Sequence, residues 1–355
     1  MHAVVKRFRR PGAEMEEVAK PATGKGEVLV ETKMASICGT DVHIWDWNHW
    51  AQTRLKKLPI IFGHELCGEV VEVGKGVRSV EVGDLVSAET HMVDGTCYQC
   101  RTGRMHVCRD MKILGVDTDG VFAEYVKLPE MNARKLPPKV SPQLGSLLEP
   151  LGNATFTVMP NDCISDVKGK NVVVTGAGPI GLMAVAILKT VGAKQVIVSE
   201  LAKEKLRFSM AKKMGADLIL DAGMGTEAMV RAVNEATGGN GADVCLEMSG
   251  AAIALRQCFD VLTPGGRVSI LGLYNDAVSL DVNNDITFKS ATVFGITGRR
   301  MFQTWDQMHM LLNMSAFRDK ISSIISHTIP MKDMEEGMRL IRMKEAAKVS
   351  LLPEW

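Results

Sequence analysis

Residues Asn171–Glu200, NVVVTGAGPIGLMAVAILKTVGAKQVIVSE, decide the fold. Val172, Val173 and Val174 form a β-branched run with no polar break, as expected of a parallel strand covered on both faces. Gly176, Gly178 and Gly181 follow at once in the spacing G-x-G-x-x-G. In that spacing the first glycine allows a tight turn, the second lets backbone approach a pyrophosphate, and the third lets helix pack on strand. A helix is expected from Leu182 to about Val191, stopping at Gly192, with a second apolar strand from Gln195 ending at Glu200. An acid about 20 residues past the glycines accepts hydrogen bonds from ribose hydroxyls and repels a 2′-phosphate. The stretch therefore reads as a dinucleotide cradle preferring NAD to NADP, a preference that nearby Lys203 and Lys205 weaken. A lone glycine turn would suit any α/β protein, but here strand, helix and acid all stand in order.

Working outward, 355 residues are enough for two domains, each with its own core. The composition is that of an ordinary soluble protein, with 46% hydrophobic and 23% charged residues. A net charge of +1 gives no reason to expect nucleic acid or an anionic membrane as partner. Residues 1–20 mix Lys, Arg and Glu without an apolar run, so no secretory signal or membrane span is read and the expected compartment is the cytoplasm. Eight cysteines in such a compartment argue for metal ligands and buried thiols, not disulfides. There is no internal repeat.

The first third alternates short strand-like runs with turn signals at Pro11-Gly12 and Thr23–Gly26, an antiparallel β pattern. It breaks at Cys38-Gly-Thr40-Asp41-Val-His43, where polar chemistry bunches at a strand end. Its counterpart is Gly63-His64-Glu65. Thiolate, imidazole and carboxylate brought together are three protein ligands for Zn²⁺, leaving a position for substrate or water. Taken singly, Cys38 would be a small buried hydrophobe and His64 a hydrogen-bonded core histidine.

As a set, Cys38-Gly-Thr-Asp-x-His43, Gly63-His-Glu-x-x-Gly68 with Gly74 and Val77 behind it, and Gly83-Asp-x-Val resemble the zinc-dependent medium-chain alcohol dehydrogenases. The likeness continues from about residue 30 to the C-terminus in Trp45–Gln52, Glu89-Thr-His91, Asp119–Glu124, Glu149-Pro-Leu-Gly-Asn153, Gly295–Arg299 and Thr304-Trp305, segments closest to the threonine-oxidising branch. The resemblance implies an α/β protein with a doubly wound Rossmann domain and a mainly β, GroES-like catalytic domain. It implies a homotetramer that oxidises the 3-hydroxyl of L-threonine to 2-amino-3-oxobutanoate with NAD⁺ as acceptor. It further implies that Thr40 and His43 relay the proton toward solvent, that Glu149 sits at the catalytic metal, and that His91 faces the substrate. Ile180 is implied beneath the cofactor, Lys205 near its ribose, and Ile296 and Thr297 by the nicotinamide. A polyol dehydrogenase of the sorbitol or butanediol type would keep every metal and cofactor motif. A non-catalytic member would normally lose metal ligands, and Cys38, His64 and Glu65 are all present.

Cys97, Cys100 and Cys108 stand at C-x2-C-x7-C, a spacing that wraps a tetrahedral metal within one loop. Where the family carries a fourth cysteine, this chain has Asp94. A carboxylate is an allowed zinc ligand of the same charge, so the lobe either holds zinc through Asp94 or is empty with free thiols. His106 reads as a surface residue.

Glu149 precedes Pro150 and is expected in extended geometry. From about 152 strands recur near 172, 195, 218, 244 and 268, the alternation of a doubly wound sheet, and Leu271-Gly272-Leu273 falls at a strand end where cofactors lie. Three domain segments follow: a catalytic domain over 1–151 with its metal lobe at 91–109, a cofactor domain over 152–297, and a return to the catalytic domain over 298–355. A small-molecule site is expected where the two domains meet. Trp45, Trp47 and Trp50 either wall the substrate pocket or pack at a subunit interface.

Overall fold

The apolar run at 171–175 is a strand whose five residues are all buried, because it has a parallel neighbour on each side: Gln195–Glu200 and Ala242–Glu247. The structure, a computed structural model, describes residues 1–355 and divides into two units, Met1–Pro150 with Ile325–Trp355, and Leu151–Ile324.

In the second unit six parallel strands run in the order 218–221, 195–200, 171–175, 242–247, 262–270 and 292–295. The five strands expected from the sequence are present, and Thr292–Gly295 adds a sixth at the edge. The helix Pro179–Thr190 buries every residue from Gly181 to Leu188. A helix apolar all round needs cover on more than its sheet face, and Ser315–Ser322 packs against it. The chain thus leaves this unit at Ile325 rather than at 298. Residues 298–324 lack a nucleotide motif, yet they bury Trp305, Met308, Phe317 and Ile321 here. Two of the family-like segments also meet in this unit: Arg299, fully buried, donates from Nη1 to Asn153 Oδ1 at 3.1 Å. Its side chain fills the space that a Cβ on Gly152 would take.

The first unit is built on Glu27–Ser36, which pairs antiparallel with Glu65–Val73, Tyr125–Pro129 and Val349–Leu352. Ser36 lies opposite both Glu65 and Ser350. Near the C-terminus His327–Pro330 pairs parallel with Val349–Leu352, around the helix Met334–Arg342. The core holds an edge-to-face pair, Phe62 on Phe122, with ring centroids 5.0 Å apart. Trp45 is 8% exposed and belongs to this core, with Trp47 and Trp50 packed against it. The Trp45 carbonyl accepts from the buried Lys6 ammonium. No helix is long and apolar enough to cross a membrane.

The extended geometry expected of Glu149 is not found: Glu149 lies in the first turn of the helix Leu148–Val158. Pro150 is tolerated there because an N–H in the first turn has no intrahelical acceptor.

The turn at 176–181 is close-packed at two of its glycines and open at the third. Gly176 has φ +89°, and a Cβ on Gly181 would stand 2.1 Å from the Gly176 carbonyl oxygen. A Cβ on Gly178 would meet open space, so the turn presents a bare backbone rim. Gly181→Ala should cost about 1–3 kcal/mol in urea unfolding and weaken NADH binding; unchanged stability and binding would show that the turn yields freely.

Candidate active site

The strand register assembles the first cluster. With Ser36 opposite Glu65, Cys38 at the start of the helix Gly39–Asp46 comes beside His64. Gly63 sets the approach of that histidine. Its φ is +88°, a Cβ there would fall on the Phe122 ring at 2.6 Å, and a Cβ on Gly115 or Gly120 would meet its carbonyl oxygen at 2.2 or 2.1 Å. The donor atoms of Cys38, His64 and Glu65 all lie within 4.8 Å of one another. Donors around a tetrahedral zinc stand about 3.5 Å apart, given bonds of ~2.0–2.3 Å, so small inward shifts close the set.

Two surrounding carboxylates order these donors. Asp41, fully buried, accepts from the Cys38 amide at 2.8 Å through Oδ2. Its Oδ1 lies 3.5 Å from His64 Nδ1, and both atoms are buried without a hydrogen-bond partner. A carboxylate on the far nitrogen is the usual support of a metal-bound imidazole, turning its other nitrogen to the ion. Burial alone would lower the pKa of His64, but Asp41 and Cys38 outweigh it and hold it well above the usual value. A cation competes for the site of that proton.

The sequence reading missed Lys348. Its ammonium, buried with Glu65, donates to Glu65 Oε1 at 2.6 Å and to the Ile37 carbonyl at 2.9 Å, and lies 2.5 Å from Glu65 Oε2 as an ion pair. The Ser36 hydroxyl donates to Glu65 as well. Burial works against charge on Lys348, yet Glu65, Cys38 and Glu149 raise its pKa above the ordinary value. Glu65 therefore carries a partner that spreads its charge. The only sequence signal was a lysine entering an apolar C-terminal run, Lys348-Val-Ser-Leu-Leu352.

The candidate relay residues lie on one helix face. Thr40 and His43 are three apart on Gly39–Asp46. His43 is exposed, and Asn48 Nδ2 lies 2.7 Å from its Nδ1. With the amide donating, Nδ1 accepts and Nε2 carries the proton. Glu89 and Thr90 are buried beside His91, and Asn132 fixes the loop by donating to the carbonyls of Glu89 and His91 at 2.7 and 3.0 Å. Asn132 was also missed in the sequence.

Asp94, Cys97, Cys100 and Cys108 form a second cluster of donors within the same 4.8 Å limit. Asp94 Oδ1 accepts from the amides of Cys97 and Thr96 at 2.9 and 2.7 Å, which hold its carboxyl well below the usual range. The Cys97 thiol is likewise lowered by backbone hydrogen bonds, from Arg109 first. Three sulfurs and one ionised oxygen suit zinc. His106 is half-buried in the short turn Met105–Val107.

In the second unit Glu200, at the end of its strand, accepts from the Ala177 amide at 2.9 Å and from Leu201 N at 2.9 Å, so the acid is tied to the glycine turn. Arg207 Nη1 lies 3.3 Å from the same carboxylate. That cation, rather than Lys205, is the one the structure sets against Glu200. Ile180 is half-buried, Ile296 is buried, and Leu271, Gly272 and Thr297 are at least partly open. Leu273 is 87% exposed.

Two family models match: an alcohol dehydrogenase GroES-like domain over residues 24–138 and a zinc-binding dehydrogenase over 179–314. An L-threonine 3-dehydrogenase of Pyrococcus abyssi is 49% identical over 98% of this chain and 97% of its own. The chain belongs to the zinc-dependent medium-chain dehydrogenases. Among solved structures of similar fold, a 2R,3R-butanediol dehydrogenase of Bacillus subtilis has TM-score 0.85 at 29% identity, covering 99% of both chains. A short chain alcohol dehydrogenase of Escherichia coli, complexed with cofactor NADH, has TM-score 0.86 at 28% identity, also covering 99% of both chains. The GroES-like model spans the Cys38, His64 and Glu65 cluster and the cysteine lobe, so this dehydrogenase keeps its donors where the family model lies.

Replacing Lys348 by Met in this dehydrogenase leaves Glu65 buried without its cation and should cost about 3–5 kcal/mol in chemical denaturation of the metal-free protein. Lys348→Arg should recover most of it. Equal stability of the Met variant and wild type would show that Glu65 needs no counter-charge.

Proposed function

We propose that this dehydrogenase oxidises the 3-hydroxyl of L-threonine to 2-amino-3-oxobutanoate with NAD⁺. The observation that carries the reading is the 49% identity, across 98% of the chain, to an enzyme named for that substrate. The polyol enzyme is alike in fold at 29% identity, which makes polyols the comparison substrates of any test.

Cys38, His64 and Glu65 hold the catalytic zinc, and Asp41 orients His64 while Lys348 balances Glu65. Zinc supplies the Lewis acidity that makes the substrate hydroxyl a stronger acid, and NAD⁺ supplies the hydride acceptor. Thr40 takes the hydroxyl proton into a relay through His43, whose exposed imidazole can pass it on to solvent. Glu149 serves the metal end of that relay as an acceptor, and its coupling to Lys348 supports a position in the same field. His91, held by Asn132, contacts the substrate.

Gly176, Gly178 and Gly181 cradle the pyrophosphate, and Glu200 accepts from the adenosine ribose, with Lys205 nearby. Ile180 would lie under the cofactor, Leu271, Gly272 and Leu273 would border it at their strand end, and Ile296 and Thr297 would stand by its nicotinamide. The 28% identical structure that carries NADH supports this reading of the cofactor. Asp94, Cys97, Cys100 and Cys108 hold a structural zinc.

The assembly we propose is a homotetramer. It is supported by the edge strand Thr292–Gly295, whose Val293 is 39% exposed, preceded in sequence by Phe288 at 76% and Val282 at 59%. Light scattering at four chain masses is the expected result. The cytoplasm is the compartment we propose, supported by eight cysteines of which none is paired in a disulfide.

NADH formation from L-threonine should exceed that from sorbitol or butanediol. Cys38→Ser should lower kcat/KM by about 100-fold or more, beyond the usual cost of losing an outer partner of a metal. Equal rates across the substrates, or an active Ser variant, would overturn the assignment. Metal analysis should find two zinc ions per chain, falling to one in Asp94→Ala; one ion in the wild type would mean an empty lobe.

A further inference from the structure

Glu247 ends the strand Ala242–Glu247 and is fully buried. Its strand neighbours Asn171–Thr175 in a sheet whose order runs outward in both directions from 171–175. The carboxyl ends of these two strands form the switch point where such sheets take dinucleotides. Nothing in the motif reading used Glu247.

Its carboxylate collects donors from three segments. Oε1 accepts from Ser249 N at 2.9 Å, Ser249 Oγ at 2.6 Å, Gly250 N at 3.0 Å and Thr175 Oγ1 at 3.3 Å. Oε2 accepts from the Tyr274 hydroxyl at 2.5 Å. The Glu247 carbonyl accepts from the amides of Leu271 and Gly272 at 2.9 and 3.1 Å. The loops so tied are in contact: a Cβ on Gly272 would lie 2.3 Å from Glu247 Oε2, and one on Gly250 would lie 2.5 Å from the Leu273 carbonyl oxygen. Ser249 in turn abuts the glycine turn, since a Cβ on Gly176 would meet its Cα and Cβ at 3.0 Å. Five donors thus converge on the two oxygens of one side chain. Burial first, and then Glu247, raises the Tyr274 pKa, so the phenol stays a donor at neutral pH.

We propose that Glu247, with Tyr274 as its latch, is a positioning residue for the dinucleotide: it locks the loops 248–251 and 271–274 against the Gly176 turn before cofactor arrives. Pre-ordering those loops removes a cost that binding would otherwise carry. The proposal rests on reading these strand ends as the cofactor site. It concerns affinity for cofactor, not the hydride step, because Glu247 lies beneath the loops and not among their open residues.

The test compares the full-length wild type with Tyr274→Phe, Glu247→Ala and Glu247→Gln, measuring NADH Kd by fluorescence titration, KM for NAD⁺, kcat at saturating NAD⁺, and the unfolding midpoint. Tyr274→Phe removes one hydrogen bond to a charged group and should raise NADH Kd and the KM for NAD⁺ about ten-fold, with kcat within about two-fold. Glu247→Ala should raise them further. Glu247→Gln should rescue most of the loss, since its oxygen can serve the Ser249 side and its amide can donate to the Tyr274 oxygen. If Glu247→Ala fails to fold, Tyr274→Phe decides the matter alone. A lowered midpoint with unchanged NADH Kd makes Glu247 purely structural and overturns the assignment while leaving the cofactor reading intact. A wild type that binds no NADH overturns both.

Discussion

The pairing of Ser36 with Glu65 on one side and Ser350 on the other governs the metal end of the first unit. A slip of one residue on either side would turn alternate side chains to the opposite face, separating Cys38 from His64 or Lys348 from Glu65. The pairing is held where it costs most to break. Val28, Val30, Ala35 and Leu66 are buried around it, so a slip would carry apolar side chains out of the core.

That arrangement lets several charges share a dry space. Asp41, Glu65 and Lys348 are each no more than 2% exposed, and an isolated charge there would be driven to its neutral form. Here each carboxylate is met by a donor: the Cys38 amide for Asp41, and Lys348 with Ser36 for Glu65. The cost of burying ions is thus carried by the fold before any metal arrives, which keeps the donors near their working positions. The cofactor unit follows the same logic with hydrogen bonds alone, as Glu247 gathers amides and hydroxyls from a strand end and two loops.

Much of this was legible because short-range chemistry writes itself into spacing. The glycine turn, the cysteine lobe and the acid at the strand end are local, with all their partners within about one supersecondary unit. Glu149 was misjudged because the rule for a residue before proline yields in a first helical turn, where the N–H that proline lacks has no acceptor inside the helix. The two helices after 298 were given to the wrong unit because lack of a motif says nothing about where Trp305 and Phe317 find a core. Lys205 was noted and Arg207 overlooked because the sequence lists charges without saying which one turns toward Glu200.

By itself the sequence determined the glycine turn, two sets of candidate metal donors and the α/β order of the second unit, since each depends on residue type at fixed short spacing. Only the tertiary structure decided what balances the donors. Lys348 meets Glu65 from 283 positions away, and Tyr274 meets Glu247 from 27. Hydrogen bonds and ion pairs act over a few ångströms of space, and only the folded sheet converts such distances along the chain into contact.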